Sequence, residues 1–273
     1  MKSCVASLLT GVVMLAAAGP PGAAAQQPQA VAAESAVTVD GSVALASLMS
    51  LADGHLRKMA DFLETLAAGP ARSGNWSRIR DPLADIGRHN VPAVLWFARP
   101  DGSYWTVDQG RTSENLASRP YFPGLMAGQP VLGSLVVSRS TGRNTAIVAV
   151  PVRRPDGRIV GALGSSIHLD SLSLQLAQEM DLPRHIHFFS IDSTPRGALN
   201  RNVRLIFTEP LTLGEDLARA VREMLAHQEG TVVYEFEGAR RTLRYRRSAV
   251  TGWWYALGIV GNDTSKAEPG GAP

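Results

Sequence analysis

From Leu45 onward apolar residues recur every three or four positions. Leu45, Leu48, Ala52, Leu56, Met59, Leu63 and Leu66 draw one stripe, which predicts a long helix. Gly54 weakens its middle by roughly 1 kcal/mol relative to Ala, and Gly69-Pro70 ends it. A second, shorter helix is expected over Trp76 to His89. At Val91 the texture changes to strands. "AVLWFA" and "SYWTV" flank "RPDG" at 99–102, and "NTAIVAVPV" and "RIVGALGSSI" flank a second "RPDG" at 154–157. Pro presets φ and Gly tolerates positive φ, so each tetrapeptide is a turn. Between the two pairs lie "SRPYFPGLMAGQ", read as a short helix opening at Ser118-Arg119-Pro120, and the strand "GSLVVS".

After a helix over "LDSLSLQLAQEMDL" the same order returns. "HIHFFSID" and "VRLIFTE" read as strands. "TLGEDLARAVREMLAHQ" reads as a helix with Leu213, Leu217, Val221, Met224 and Leu225 on one face. "GTVVYEF", "RRTLRYRRS" and "GWWYALGIV" are three more strands. Strand-strand-helix-strand-strand-strand thus occurs twice behind one long helix, and the repeat decides the fold class. The expectation is α+β, with two tandem modules, each built on a five-stranded antiparallel sheet.

Composition narrows the function classes. The chain has 273 residues, 45% hydrophobic and 19% charged, enough for one large domain or two small ones. A net charge of +3, with no module to support it, argues against nucleic acid. Lys2, an apolar run from Val5 to Ala18, and Ala23-Ala24-Ala25 before Gln26 form a secretory signal peptide over 1–25. Cys4, the only cysteine, precedes that run, so the mature chain is expected to lack disulfides. "WWYALGIV" is far shorter than the roughly 20 residues of a membrane span. The mature protein is therefore expected to be soluble and periplasmic or secreted. A linker is read over 26–41, a helical segment over 42–90, a first module over 91–168, a connecting helix over 169–184, a second module over 185–261 and a disordered tail over 262–273.

Catalytic signatures are missing. The sequence has no G-x-S-x-G, H-E-x-x-H or P-loop pattern. His185 and His187 share a strand face without an obvious third ligand, and His89, His168 and His227 are scattered. Neither an enzyme, a metal site nor a cofactor is expected. In "RRTLRYRRS" alternation places Arg241, Leu243, Tyr245 and Arg247 on one face and Arg240, Thr242, Arg244 and Arg246 on the other. A solvated face is the plain reading, and an anionic partner surface or lipid headgroups the functional one.

Over about 42–261 the chain resembles a double Cache domain, an extracytoplasmic sensor fold of two PAS-like modules on a long N-terminal helix. The carriers are "WFARPDGSYWTV", "SRPYFPGLMAGQ", "SRSTGRNTAIVAVPV", "DGRIVGALGSSIHLDSLS" and "GTVVYEFEGARRTLRYRRSAVTGWWYALGIV", taken in order. The resemblance implies ligand binding in the first, membrane-distal module. In the amino-acid-binding group an arginine opening the helix holds the ligand carboxylate, and Arg119 matches it. The group's next aromatic pair falls on Tyr121 and Phe122, and its following-strand tyrosine falls near Val136. Its ammonium-binding aspartate falls on Ser166. The carboxylate half of the motif survives and the ammonium half does not, which argues against a standard α-amino acid. A guanidinium matches a carboxylate bidentately; the alternative is a salt bridge or a solvated helix start. Trp96, Tyr104 and Trp105 are candidate pocket walls, with one of each adjacent aromatic pair expected in the core. Ser138, with Arg139 and Thr141 in "SRSTGR", offers polar contacts, or simply closes a hairpin.

The leading expectation is a sensor for a small, carboxylate-bearing organic ligand. No span or output domain follows Val260, so it would signal by touching a membrane sensor kinase or chemoreceptor. The long helix leaves a homodimer open. A ligand-free interaction scaffold is the alternative, and a hydrolase or metal enzyme ranks last. An open cavity beside Arg119 would favour sensing; a filled core would favour the scaffold.

Overall fold

A computed structural model of the chain describes residues 40–261. The signal peptide, most of the linker and the tail lie outside the described residues. The long helix α1 runs Gly41–Ala67, capped by Asp40, whose side chain accepts from the Ser42 N–H at 2.8 Å. Every member of the predicted stripe is buried. Helix α2 spans Trp76–Arg88 and buries Ile79 and Leu83. Among the described residues no helix is long and apolar enough to cross a membrane.

The first module comprises β1 (Ala93–Ala98), β2 (Ser103–Thr106), β3 (Gly110–Asn115), α3 (Phe122–Met126), β4 (Val131–Val137), β5 (Asn144–Arg153) and β6 (Ile159–His168). Helix α4 (Leu169–Glu179) connects it to β7 (Ile186–Ile191), β8 (Gly197–Asn200), α5 (Glu215–Ala226), β9 (Glu229–Phe236), β10 (Ala239–Arg247) and β11 (Trp254–Val260). Both sheets are wholly antiparallel, in the orders β3-β2-β1-β6-β5-β4 and β8-β7-β11-β10-β9. This is the tandem architecture expected from the repeat.

Three details differ from expectation. The first sheet has six strands rather than five, because β3, "GRTSEN", adds to the edge. It is polar and mostly exposed, so it carries no apolar alternation to reveal it. In the second module the strand pairing with β7 is Gly197–Asn200, not "VRLIFTE". Val203–Leu205 instead forms a 3-10 turn, and Phe207 at φ 66° breaks the extended path. Finally, α3 begins at Phe122, not Ser118, and is a single turn.

One apolar core spans both modules. It joins α1 to β1, β5, β6, α4, β7 and β11. Each sheet's other face has its own core: Trp96, Tyr104, Phe122, Leu125, Val136 and Ile147 in the first module, and Phe189, Ile191, Leu217, Val221, Tyr234 and Leu243 in the second. Strand alternation divides each sheet this way. The modules also touch directly. The Trp253 indole donates to the Gly133 carbonyl at 3.2 Å, and Gly133 sits at a bulge of β4 with φ 88°.

Candidate functional site

The site is built on the first sheet's outer face. Along β1, Leu95 and Phe97 point toward α1, while Trp96 and Ala98 point to the opposite side. Trp96 pairs with Gly164 of β6 across the sheet. A Cβ on Gly164 would lie 2.1 Å from the indole Cζ2, so glycine makes the room the ring occupies. The Trp96 N–H donates to the Ser166 hydroxyl at 3.2 Å. Tyr104 and Phe122 close over the same face, each 3% exposed. Side chains thus fill the space between sheet and α3.

Trp105 is not part of this group. It lies on the sheet's other face, 6.3 Å from Phe97 between ring centroids, with the Arg99 guanidinium 4.7 Å over its ring. Alternation along β2 sends it there because Tyr104 faces α3. Ser138 is buried, with its hydroxyl 3.2 Å from that of Ser140 and its backbone closing the hairpin on Arg143 and Gly142. Val136 packs in the same cluster as Trp96.

At the rim the side chains become polar. Arg119 Nη2 donates to the Val137 carbonyl at 2.6 Å, and its Nε is buried without a partner. Arg139, reaching across from the β4–β5 turn, donates to the Asn115 carbonyl and, at 2.7 Å, to the Ser118 hydroxyl. Ser118 therefore anchors Arg139 rather than capping a helix. Burial pushes the Tyr121 phenol up to about 12, against the pull of Arg119 and Arg139 and with a push from Tyr104. The charges of both guanidiniums are thus felt at the Tyr121 phenol. Among the described residues neither Arg119 nor Arg139 forms an ion pair, whereas Arg143 of the same turn is held by Asp170 at 2.5 Å. In the sequence Arg139 is a polar contact or a hairpin residue of "SRSTGR"; its hydrogen bond to Ser118, 21 positions away, is one that local spacing does not reveal.

Tyr121 and Leu125 also wall an open groove of about 680 Å³ between the modules, with Arg196, Arg247 and Trp253 opposite. Among the described residues no group of three metal-ligating side chains is present.

No family model and no curated protein sequence matches the chain. Solved structures do match in fold. The extracellular domain of the histidine-kinase candidate rpHK1S-Z16 is 14% identical, covering 83% of this chain and 95% of that one, with a TM-score of 0.67. The ligand-binding domain of the Pseudomonas aeruginosa amino acid chemoreceptor PctB, solved with L-Arg, is 15% identical over 84% and 97% of the two chains, TM-score 0.63. An extracellular ligand-binding receptor from Desulfohalobium retbaense is 15% identical over 80% of this chain, TM-score 0.63; the match spans 39% of that longer chain. The first of these is the extracellular part of a histidine-kinase candidate, and the other two are described as ligand-binding proteins. The chain shares the fold of these extracellular domains, which is the tandem arrangement that the double Cache resemblance implied.

Proposed function

We propose that this double Cache fold serves as an extracytoplasmic sensor domain that binds a small carboxylate-bearing ligand at the rim of its first module and signals through a membrane sensor kinase or chemoreceptor. The observation that carries the reading is that the charges of Arg119 and Arg139 both act on Tyr121 while, among the described residues, neither guanidinium forms an ion pair. Arg119 is the bidentate anchor, Arg139 a second charge, and Tyr121 the aromatic wall, with Tyr104 and Phe122 beneath. The Ser166 hydroxyl already accepts from Trp96, and Val136 offers no polar group, so an α-ammonium finds no charged acceptor from these two positions. A deaminated acid fits the chemistry better than an amino acid. Binding would act by favouring one packing of the first module over another.

A scaffold reading draws on a different observation, the filled face under α3, where Trp96 is 2% exposed. A thermal-shift screen of the mature protein against carboxylates, amino acids, purines and amines separates the two. Sensing requires a saturable rise for an acid, since a ligand at 100 times its Kd adds about 2.7 kcal/mol. Calorimetric titration of that acid should then show at least tenfold weaker binding for Arg119→Ala. Equal affinities, or no stabilising ligand, would leave the scaffold.

A further inference from the structure

The second module carries a buried cation for which the first has no counterpart. Alternation along β10 points Arg241 inward with Leu243 and Tyr245, while Arg240, Thr242 and Arg244 face solvent. Arg241 is only 8% exposed, and its Nε is buried without a hydrogen-bond partner. The nearest carboxylate, Glu237, lies at 3.5 Å and is itself 63% exposed. The guanidinium stands 4.7 Å over the Phe236 ring. Tyr234, its register partner on β9, and buried His187 on β7 face it. Burial, then the Arg241 and Arg201 charges, hold His187 down to about 4, so the ring is neutral at ordinary pH and keeps one N–H to donate.

These groups line a cavity of about 30 Å³ between the sheet and the Pro210–Leu217 segment. That holds about two waters, or one very small organic ion. A desolvated guanidinium with an idle N–H calls for an oxyanion. The remaining walls, including Ile191, Leu213 and Leu217, are apolar and suit a short alkyl group. We propose that the second module holds its own anion site, on Arg241 with His187 and Tyr234, for a short-chain monocarboxylate of about the size of acetate. The site is distinct from the Arg119 rim: the cavity is too small for an amino acid and carries one central cation. It also does not depend on the function proposed for that rim.

Thermal-shift and calorimetric titrations with sodium acetate, propionate and pyruvate, against sodium chloride at matched ionic strength, test this. Saturable stabilisation by acetate or propionate is expected, unchanged in Arg119→Ala and at least tenfold weaker in Arg241→Met. Should Arg241→Met fail to fold, arginine Nε–Hε NMR of the unsubstituted protein replaces it; one buried Nε resonance should shift saturably with acetate. Equal stabilisation by chloride, equal binding by a folded Arg241→Met, or no responding Nε resonance would each overturn the site. Loss of acetate binding in Arg119→Ala would move the ligand to the first module and overturn it as well.

Discussion

The Tyr255 hydroxyl donates to Asp53 Oδ1 at 2.9 Å, tying the last strand of the second module to the middle of α1. The Ser248 hydroxyl donates to the other carboxylate oxygen at 2.7 Å and accepts from the Val250 and Thr251 N–H groups. A buried carboxylate beside an apolar stripe is costly unless both oxygens are occupied, and here both are. Burial, the neighbouring charge of Asp53 and its hydrogen bond push the Tyr255 phenol well above its usual range. The pair fixes the position of α1 against the second sheet, a contact that any sliding of the helix must break.

Asp53→Ala strands the two hydroxyls in the interior. The expected loss is about 2–3 kcal/mol, and Asp53→Asn, which keeps one acceptor, should lose less. Urea unfolding followed by fluorescence reads this as a lower midpoint with an unchanged slope. An unaltered midpoint for Asp53→Ala would mean that water satisfies the hydroxyls and that the tie is weak.

The contrast between what pattern reading reaches and what it misses has a physical origin. A 27-residue helix with one buried stripe declares itself, because its period repeats many times. Among the described residues, two of the eleven strands do not: β3 is a polar edge, and β8 is four buried residues with no alternation to see. At the candidate site, the order of the chain is enough to propose Arg119 and Tyr121. The filling of the face was not, since it depends on the register that sets Trp96 against Gly164, 68 positions away by number but opposite on β6. Alternation correctly grouped Arg241 with Leu243 and Tyr245. It could not say which face was buried, so a buried cation read as a solvated one.

The neutral state of His187 sets a pH dependence. Its pKa falls from about 6.5 unfolded to about 4 folded, so between these values the unfolded chain binds more protons. The stability from keeping the ring neutral is fully present above about pH 6.5 and is lost as pH falls toward 4. The full swing is ~3 kcal/mol. The groups that face the ring and oppose its protonation are Arg241 and Arg201. Replacing His187 with Phe should flatten the fall in unfolding free energy over that window, measured by urea titration at a series of pH values. An identical slope in both proteins would assign the acid sensitivity elsewhere.

The Trp96–Gly164 contact should show strong non-additivity. Gly164→Ala drives a Cβ into the indole and is expected to destabilise the protein by several kcal/mol, because a buried ring in a packed sheet has little room to shift. Trp96→Ala leaves a cavity and costs about 3–5 kcal/mol. In the Trp96→Ala background the three atoms nearest the added methyl of Gly164→Ala are gone, so its cost should fall below about 1 kcal/mol. A double-mutant cycle by chemical denaturation measures the difference. Simple additivity would mean that the strand moves to accept the methyl and that the register does not confine Trp96.

In the proposed function, ligand choice at the first module rests on charge. Arg119 and Arg139 supply two cations whose charges act on Tyr121, and among the described residues neither has an ion-pair partner. An acid therefore meets an uncompensated positive field, and Ser166 and Val136 bring no negative charge for an ammonium. Removing the α-amino group from an acid that binds should leave its affinity unchanged or raise it. Arg139→Ala should weaken the same acid by about threefold to tenfold, less than Arg119→Ala, because Arg139 is the more exposed of the two and a rim charge is better screened. Raising the salt concentration should narrow the Arg139 effect more than the Arg119 effect. Calorimetric titration of the matched pair, amino acid and deaminated analogue, at two ionic strengths gives all of these comparisons. An amino acid that binds tenfold tighter than its deaminated analogue would require an acceptor for the ammonium that this arrangement does not supply, and would overturn the assignment of the rim to a simple carboxylate.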